Sequence, residues 1–303
     1  MTSPQADASQ NIAALTALFE PGPVAVLTGA GISTDSGIPD YRGAGTPPRT
    51  PMSIAQFMND EAYRRRFWAG ARIGSLRSRG VAPNAGHFAL ARLEAAGRIG
   101  GVITQNVDGL HRRAGSRTVV ELHGNGSVIR CLQCGSRWSR EEVLGWFDEL
   151  NPGFVDSQRS AELAPDGDAR VSGADGVVVP SCPGRGAPCG GLLRPDVVYF
   201  GETVPPAVFA SAEALLAEAE ALMLVGTSLA VNTGLRLVHR AERRGIPVAV
   251  INRGPTSVDD RDAVRVRIEG GTSETLTALA AALGAADPHP AAGLPSSPSS
   301  DGR

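Results

Sequence analysis

Four short apolar runs recur along the chain, and they are separated by segments with helical spacing. The runs are 24–28, 101–104, 221–225 and 248–251. A run that is apolar on consecutive residues is typical of a strand buried on both faces, as in a parallel sheet. The helix-like segments lie at 84–96, 206–219 and 233–244. Strands that alternate with helices predict an α/β fold with a doubly wound parallel sheet of the Rossmann-like kind.

Two insertions interrupt this alternation. Residues 41–82 have a helical pattern with a capping box that starts at Ser53, and residues 125–199 contain every cysteine of the chain. We therefore predict a small domain with a helical part and a zinc-binding part. The predicted divisions are a Rossmann-like domain of 1–40, 83–124 and 200–285, a small domain of 41–82 and 125–199, and a disordered, proline-rich tail of 286–303.

The charge balance argues against several classes of partner. Lys and Arg together number 29 and Asp and Glu 31, so the formal net charge is −2, without the basic excess of nucleic-acid-binding proteins. No apolar run approaches the roughly 20 residues that a membrane-spanning helix needs. Residues 1–10 contain neither Lys nor Arg, unlike a secretory or transit peptide. We therefore predict a cytoplasmic protein with no nucleic-acid or membrane partner.

The first predicted strand ends in a turn of small residues, Gly29, Ala30 and Gly31. Small residues let the backbone approach a phosphate, and N–H groups at the start of a following helix suit its charge. The dinucleotide fingerprint is incomplete, because Thr34 replaces its third glycine and no strand ending in Asp or Glu follows about 20 residues later. The turn therefore indicates a dinucleotide held in another manner, or a simple tight turn.

A polar segment follows the second predicted strand, at Gln105, Asn106, Val107 and Asp108. Ligands of open α/β sheets bind beyond the carboxyl ends of the strands, where this segment is expected. Its amide and carboxylate groups suit the amide of nicotinamide and the hydroxyls of a ribose. The alternative interpretation is a polar turn that caps the helix after Asp108.

His123 ends a β-like run at 118–122 and precedes Gly124, which leaves room for a ligand beside its ring. An ordinary histidine pKa near 6.5 suits a general base at neutral pH. A purely structural histidine is the alternative. Two other histidines are predicted to lie in helices without a functional role, His87 and His239.

The four cysteines form two pairs, Cys131 with Cys134 and Cys182 with Cys189. The first pair has the spacing of a zinc knuckle, whereas six residues separate the second. Disulfides are uncommon in a reducing compartment. Four thiolates leave no coordination position for water, so the predicted site is one structural Zn²⁺ that stabilises the small domain.

Several motifs in a fixed order give the chain its resemblance to a known family. The segments are GAGIS (29–33), GIPDYRG (37–43), TQNVDGLH (104–111), HG (123–124), CxxC (131–134) and GTS (226–228). In this order they resemble the sirtuins, over about residues 24–283. The segments PDGD (165–168), RPDVVYFGE (194–202) and NRGPTSVDD (252–260) look most like the class II branch.

The resemblance implies an NAD-dependent protein lysine deacetylase, with NAD as co-substrate and acyl-lysine proteins as partners. It implies His123 and Asn106 as catalytic residues. The implied NAD-binding residues are Gly29, Ala30, Gly31, Asp40, Tyr41, Arg42, Gln105, Asn106, Val107, Asp108, Gly226, Thr227, Ser228, Asn252, Arg253 and Gly254. The strand implied to pair with the substrate peptide comprises Val197, Val198, Tyr199, Phe200 and Gly201.

The reaction that the resemblance implies begins when the acyl-lysine oxygen attacks the ribose carbon that bears nicotinamide, and nicotinamide leaves. His123 then deprotonates the ribose hydroxyls, so that one of them attacks the carbon of the resulting imidate, and water completes the release of free lysine and an acyl-ADP-ribose. Two alternatives are a protein mono-ADP-ribosyltransferase that uses the same pocket and a non-catalytic NAD- or zinc-binding module.

Three features depart from the family pattern. The second cysteine pair is wider than usual, and Gly70 stands where the class II branch often has Arg. No cysteine is found near the C-terminal position where relatives contact adenine, and Thr272 is the candidate there.

Overall fold

The computed structural model describes residues 4–40, 53–158 and 171–285. The strands in this part of the chain are β1 (Val24–Thr28), β2 (Ile99–Thr104), β3 (Val119–Glu121), β4 (Gly124–Cys131), β5 (Arg137–Ser139), β6 (Leu193–Val197), β7 (Ala221–Val225), β8 (Val248–Asn252) and β9 (Val264–Glu269). The helices are α1 (Pro4–Ala17), α2 (Ile54–Asn59), α3 (Glu61–Arg77), α4 (Ala85–Ala95), α5 (Leu110–Arg113), α6 (Arg140–Leu150), α7 (Pro206–Ala217), α8 (Asn232–Arg244) and α9 (Thr272–Ala282).

Six strands form one parallel sheet in the order β3-β2-β1-β7-β8-β9. Thr28 pairs with Thr104 on one side and with Val225 on the other, so the strands end at the same level. The strand order reverses between β1 and β7. The predicted doubly wound α/β fold is confirmed, and each of the four apolar runs is a strand of this sheet.

Helices cover both faces of the large sheet because the strands are apolar on both. Along β1, Val24 and Val26 face the layer of α1, α4 and α9, whereas Ala25 and Leu27 face α7 and α8. All five residues of β1 are buried. Burying apolar side chains on both faces at about 25 cal/mol per Å² is the main force that holds this sheet between its helices.

The remaining strands form a small antiparallel sheet in the order β5-β4-β6. A separate apolar core packs against it, with Phe57 from α2, Trp68 from α3 and Phe147 from α6 beside Ile129 and Leu193 of the strands. Residues of both insertions thus share one core. This shared core supports treating the two insertions as one small domain, although the domain boundaries stay a prediction.

Local signals at the helix starts agree with the structure. Capping boxes begin α2 at Ser53 and α6 at Ser139, where each hydroxyl accepts a hydrogen bond from the third backbone N–H of its helix. The predicted tail at 286–303 lies outside the described residues, as does the PDGD segment at 165–168. Among the helices that the structure describes, none combines the length and apolarity needed to cross a membrane.

Candidate active site and cysteine centre

The turns after β1 and β7 touch through their backbones at the edge where the strands end. Gly29 N donates a hydrogen bond to Val225 O at 3.1 Å. Gly31 N donates to Gly226 O at 2.8 Å. The contact lies between β1 and β7, where the strand order reverses, and this is the position at which open α/β sheets bind ligands.

Glycine is required here because the two turns approach within contact distance. Gly226 has φ +59°, and a Cβ on it would lie 2.4 Å from Ile32 N. A Cβ on Gly29 would lie 2.7 Å from the Cβ of Thr227. The small residues of the first turn therefore serve the contact between the turns, which is a reason that the phosphate-binding interpretation did not include.

The sequence predicted a helix that starts directly after the first glycine turn, but residues 29–40 contain no α-helix. Two single-turn 3₁₀ helices take its place, Ala30–Ile32 and Thr34–Ser36. The main-chain N–H groups of Ala30, Thr227 and Ser228 have no acceptor within the part of the chain that the structure describes. Such groups can serve an anion individually, without the N-terminus of a long helix.

Gln105 connects the end of β2 to both turns. Its Nε2 donates to Thr227 Oγ1 at 2.8 Å, and its main-chain N donates to Thr28 O at 3.0 Å. The hydrogen bonds hold the end of β2 against both β1 and β7. Gln105 is therefore placed with the two glycine turns in one site.

Asn106 and Asp108 meet around a buried hydroxyl, that of Ser33. Asn106 Nδ2 donates to Ser33 Oγ at 3.2 Å and to Gly29 O at 3.1 Å. Ser33 Oγ donates to Asp108 Oδ2 at 2.7 Å, while Asp108 Oδ1 accepts from Leu110 N at 2.9 Å. Asp108 thus accepts a hydrogen bond from the first residue of α5, whose N-cap is Gly109, and also joins the site. Val107 is half-buried on the same loop, and its carbonyl accepts from Gly126 N.

His123 lies between the two sheets, in the two-residue connection from β3 to β4. Its Nδ1 lies 2.8 Å from Gln105 O. A carbonyl oxygen only accepts, so Nδ1 carries the proton and Nε2 has the free lone pair. Burial lowers the pKa of His123 below its ordinary value, and the bond to Gln105 O opposes that shift. The neutral ring is the form that a general base needs.

A pair of buried histidines, His87 and His111, lies beside the site, and the sequence interpretation assigned no function to either ring. The rings of His87 and His111 are 4.8 Å apart, and His111 Nε2 lies 2.9 Å from Thr28 Oγ1. Thr28 Oγ1 donates to Thr104 Oγ1, which also accepts from Asn106 N. Burial lowers the pKa of His87 to about 4 and that of His111 to about 3.

Asn252, Arg253 and Gly254 follow β8 at the same edge of the sheet, and Arg267 of β9 holds their backbone. Asn252 Nδ2 donates to the carbonyls of Arg253 and Gly254 at 2.9 and 3.0 Å. The N–H groups of Arg267 donate to Asn252 O, Gly254 O, Ile268 O, Asp259 Oδ1 and Glu269 Oε2. Sequence reasoning missed Arg267, because its role depends on backbone carbonyls that no motif encodes.

The strand predicted for the substrate peptide is shorter than expected. β6 ends at Val197, and the chain then turns, since Glu202 N donates to Tyr199 O at 3.0 Å. Gly201 has φ +91° in this turn. Tyr199 is 5% exposed and Phe200 is 50% exposed, so only the second ring is presented to solvent. The prediction of a strand over 197–201 is therefore wrong beyond Val197.

Of the remaining predicted residues, Asp40 closes the first described range, and Tyr41 and Arg42 lie outside the described residues. Thr272 Oγ1 donates to Gly31 O at 3.5 Å, which puts the start of α9 against the first glycine turn. Gly70 is buried in α3, which packs in the core of the small sheet.

The four cysteine side chains converge beside the small sheet. Their Sγ atoms all lie within 4.8 Å of one another. The distances are 3.6 Å between Cys131 and Cys189 and 3.7 Å between Cys134 and Cys182. A tetrahedral site with Zn–S bonds of about 2.3 Å separates its sulfurs by about 3.8 Å. The group therefore fits a zinc ion, and all four cysteines are free of disulfides.

Backbone N–H groups point at two of these sulfurs. Gln133 N and Cys134 N lie 3.4 and 3.5 Å from Cys131 Sγ, and Gly184 N lies 3.4 Å from Cys182 Sγ. Donors of this kind stabilise thiolate ligands. The loop of the wider pair closes compactly because Gly190 N donates to Cys182 O at 2.8 Å. The six-residue spacing is thus compatible with the cluster.

Comparison with known proteins gives one consistent result. Residues 29–233 match the model of the Sir2 family. The chain is 48% identical over 260 residues to the NAD-dependent protein deacetylase 1 of Mycobacterium avium, which covers 85% of this chain and 90% of that protein. It is 44% identical over 268 residues to the NAD-dependent protein deacetylase 1 of Streptomyces coelicolor, with 87% of each covered.

Solved structures agree with these relatives. A structure of Sir2 with a p53 peptide and NAD⁺ superposes with a TM-score of 0.69 at 30% identity, over 89% of this chain and 97% of that one. A structure of Sir2Tm bound to a propionylated peptide gives a TM-score of 0.70 at 30% identity, over 91% and 99%.

Proposed function

Because this chain belongs to the Sir2 family, we propose that its site performs NAD-dependent removal of acyl groups from protein lysines. The chain is an NAD-dependent protein deacetylase that releases nicotinamide, O-acyl-ADP-ribose and free lysine. The observation that carries the residue assignments is the convergence of both glycine turns, Gln105, Asn106, Asp108 and His123 at one edge of the sheet. The class II branch stays a prediction.

The glycine turns are proposed to bind the phosphates of NAD. Support comes from the main-chain N–H groups of Ala30, Thr227 and Ser228, which have no acceptor within the described residues. Asn252, Arg253 and Gly254 would bind the adenosine end, since they follow β8, next to β7 in the sheet. Main-chain donors give an anion hydrogen bonds without the desolvation of a buried cation.

Gln105, Asn106 and Asp108 are proposed to bind the nicotinamide and its ribose. The Oδ1 of Asn106 accepts no hydrogen bond within the described residues, whereas its Nδ2 is used twice. That oxygen therefore suits a ligand hydroxyl. Asp108 adds a carboxylate two residues further along the same loop, where Ser33 and Leu110, the first residue of α5, hold it in place. Tyr41 and Arg42 keep their predicted NAD-binding roles as proposals.

His123 is proposed as the general base. The bond from Nδ1 to Gln105 O leaves the Nε2 lone pair to take a proton from a ribose hydroxyl. The same bond then stabilises the imidazolium that forms, because a protonated ring is a stronger donor to a carbonyl. NAD supplies the electrophilic ribose carbon when nicotinamide leaves, and this chain supplies the base and the orientation.

Zinc is proposed to have a structural role only. Four thiolates complete a tetrahedral coordination shell, so a bound ion has no position for water or substrate. The cysteine group also lies on the small sheet, whereas the predicted catalytic residues lie on loops at the edge of the large sheet. Zinc would therefore stabilise the small domain.

The test is mass spectrometry of purified protein mixed with NAD and a panel of acyl-lysine peptides. We expect free lysine together with acyl-ADP-ribose from the wild-type chain. The variant His123→Ala should bind NAD with an affinity near that of wild type, because Nε2 is proposed to act on a proton rather than to bind the co-substrate. Its turnover should fall by about 10² or more.

Other outcomes identify the alternatives. Nicotinamide that appears only with ADP-ribosylated protein would indicate a mono-ADP-ribosyltransferase. No NAD consumption with any peptide by zinc-loaded protein would indicate a non-catalytic NAD- or zinc-binding module. Unchanged turnover in His123→Ala would contradict the assignment of the base.

A further inference from the structure

Arg194 is a buried cation whose bonds converge on one short loop. Its side chain is 3% exposed, the lowest value among the ion-paired residues of the described chain. Nη1 and Nη2 bind the two carboxylate oxygens of Glu202 at 2.8 and 2.7 Å. Nη2 also donates to Val197 O at 2.7 Å. The guanidinium lies 4.5 Å from the centre of the Tyr199 ring.

Glu202 completes the closure of this loop, 198–201. Its Oε2 accepts from Tyr199 N at 3.0 Å, and its own N donates to Tyr199 O at 3.0 Å. Hydrogen bonds from Arg194 lower the pKa of the Glu202 carboxyl, so the group is ionised at neutral pH. The pair therefore joins the residue before the loop, the residue after it and the ring at its centre.

Two backbone hydrogen bonds join loop 198–201 to the rest of the protein. Val198 N donates to His123 O at 2.8 Å. Phe200 O accepts from Ile54 N at 3.0 Å, at the start of α2. Tyr199 is buried against Phe57, while half of Phe200 is exposed. The loop thus exposes one aromatic side chain, that of Phe200, and its first residue is hydrogen-bonded to the residue proposed as the base.

An ion pair with a buried partner is a costly way to stabilise a fold, and here Arg194 is 3% exposed while Glu202 is 25% exposed. Desolvation of two charges often exceeds their attraction, and well-packed apolar residues of similar volume are commonly as stable or more so. The bidentate geometry, in contrast, fixes distances and orientation closely. The observations therefore favour a role in fixing the loop over a role in general stability.

We propose that Arg194 and Glu202 are positioning residues that hold loop 198–201 in the shape that binds the acylated peptide. The inference rests on the proposed deacylase function and on the place of the peptide beside residues 197–201 that the family resemblance implies. The pair makes no contact with the glycine turns or with Gln105, Asn106 and Asp108 among its hydrogen bonds in the described chain. It should therefore control the KM for peptide and not the KM for NAD.

The test compares three variants with wild type. Glu202→Gln removes the charge of one partner. Arg194→Lys keeps the charge and loses the bidentate fork. The double variant Arg194→Met with Glu202→Gln removes both charges together, so no unpaired charge stays buried and folding is preserved. The matched control is Glu242→Gln, which weakens a second ion pair, in which Nη1 of Arg261 contacts both carboxylate oxygens of Glu242 between α8 and the loop before β9.

We expect folded variants to show a peptide KM raised by about tenfold or more, with the KM for NAD and kcat close to the wild-type values. The control should keep all three constants. Thermal unfolding is recorded for every variant, so that loss of the loop shape can be told from loss of the fold. Calorimetry with a non-hydrolysable acyl-lysine peptide provides an independent affinity.

Each other outcome overturns the proposal. A folded double variant with the wild-type peptide KM would mean that the loop holds its shape without the pair. Parallel increases in both KM values would indicate a general effect on the site. Unfolding of all three variants would assign the pair to the fold alone. Wild-type protein that deacylates no peptide would instead refute the proposed function, and this is read from the wild-type arm alone.

Discussion

His123 has its tautomer set by a neighbouring backbone atom. Gln105 O, 2.8 Å from Nδ1, accepts only, so the free lone pair is on Nε2. Gln105 itself is held by Thr28 O and Thr227. The residue proposed as the base therefore inherits its orientation from the two strands that also carry the glycine turns.

The buried position of His123 predicts the pH dependence of catalysis. Burial lowers its pKa, so the neutral ring persists below the ordinary histidine value of about 6.5. We expect the acidic limb of kcat/KM against pH to have an apparent pKa below that value. Initial rates at acyl-lysine peptide concentrations well below KM measure kcat/KM at each pH. An acidic limb above the ordinary value would contradict the role of a desolvated neutral base.

The buried pair His87 and His111 predicts a loss of stability in acid. In the unfolded chain both rings take a proton as pH falls through about 6.5, whereas the folded protein resists until about 4 and about 3. The free energy of unfolding should therefore decrease as the pH is lowered through this window, by up to about 1.4 kcal/mol per pH unit for each ring.

Urea unfolding at a series of pH values measures this slope, with wild type as the reference. His87→Gln should give a shallower slope between about pH 6.5 and 4. An identical slope in the variant would show that carboxyl groups, and not this pair, cause the acid sensitivity.

Some residues could be proposed as site residues from the sequence because their candidate chemistry follows from type and spacing. The four cysteines and His123 are of this kind. Ser33, Arg194 and Arg267 could not be assigned, because each acts on partners brought together by the fold. Arg267, for example, bonds to carbonyl oxygens at 252 and 254, and any sequence offers a carbonyl at those positions.

At the scale of elements, the contact between the two glycine turns sets the distance between the chain segments that follow β1 and β7. Gly226→Ala tests it, since the new Cβ would lie 2.4 Å from Ile32 N and 2.6 Å from Gly31 C, both backbone atoms. We expect a stability loss about 1–3 kcal/mol larger than that of a control glycine, together with weaker NAD binding.

Gly245→Ala at the end of α8 is the matched control, because it has φ +69° and no atom within 4 Å of an added Cβ. It reports the backbone strain alone, about 1–2 kcal/mol. Urea unfolding and NAD titration of both variants provide the measurements. Equal losses in the two would mean that the turns can separate without cost.

The error over 197–201 has a physical cause at the same scale. The family resemblance implies a strand here, and the high β propensity of Val-Val-Tyr-Phe agrees with it. The side chain of Glu202 competes for Tyr199 N and closes a turn with Arg194. A side chain that binds the backbone from beyond the end of a strand leaves no periodic trace in the sequence.

For the whole molecule, the sequence predicted the parallel sheet, because a core with helices on both faces demands consecutive apolar residues in its strands. It could not predict the antiparallel pairing of β4 with β6. About 60 residues separate the two strands along the chain, so no hairpin turn joins them and fixes their register. The cytoplasmic location and the absence of a nucleic-acid partner stay predictions.

Removal of zinc should affect the whole molecule. We expect one zinc per chain by elemental analysis, and a fall in Tm with loss of deacylation after chelation. The reason is that the apparent binding free energy of a structural zinc, about 10–16 kcal/mol in small peptides, contributes to folding. Added zinc should restore both properties.

Ser136→Ala provides the control, since it removes a hydroxyl 3.3 Å from Cys134 Sγ and leaves all four thiols. Its zinc content and Tm should stay close to wild type, whereas Cys182→Ala should lose both. A chelated protein with unchanged Tm and activity would contradict a structural role for the ion.

The connection from β3 to β4 has a consequence for evolution of the chain. Only Leu122 and His123 separate the edge strand of the large sheet from the first strand of the small one. Leu122 N is bonded to Thr104 O, and His123 O to Val198 N. An insertion or deletion at this point would move the imidazole relative to one sheet or the other. Length variation among homologues should therefore be absent between 121 and 124, however freely it occurs in surface loops.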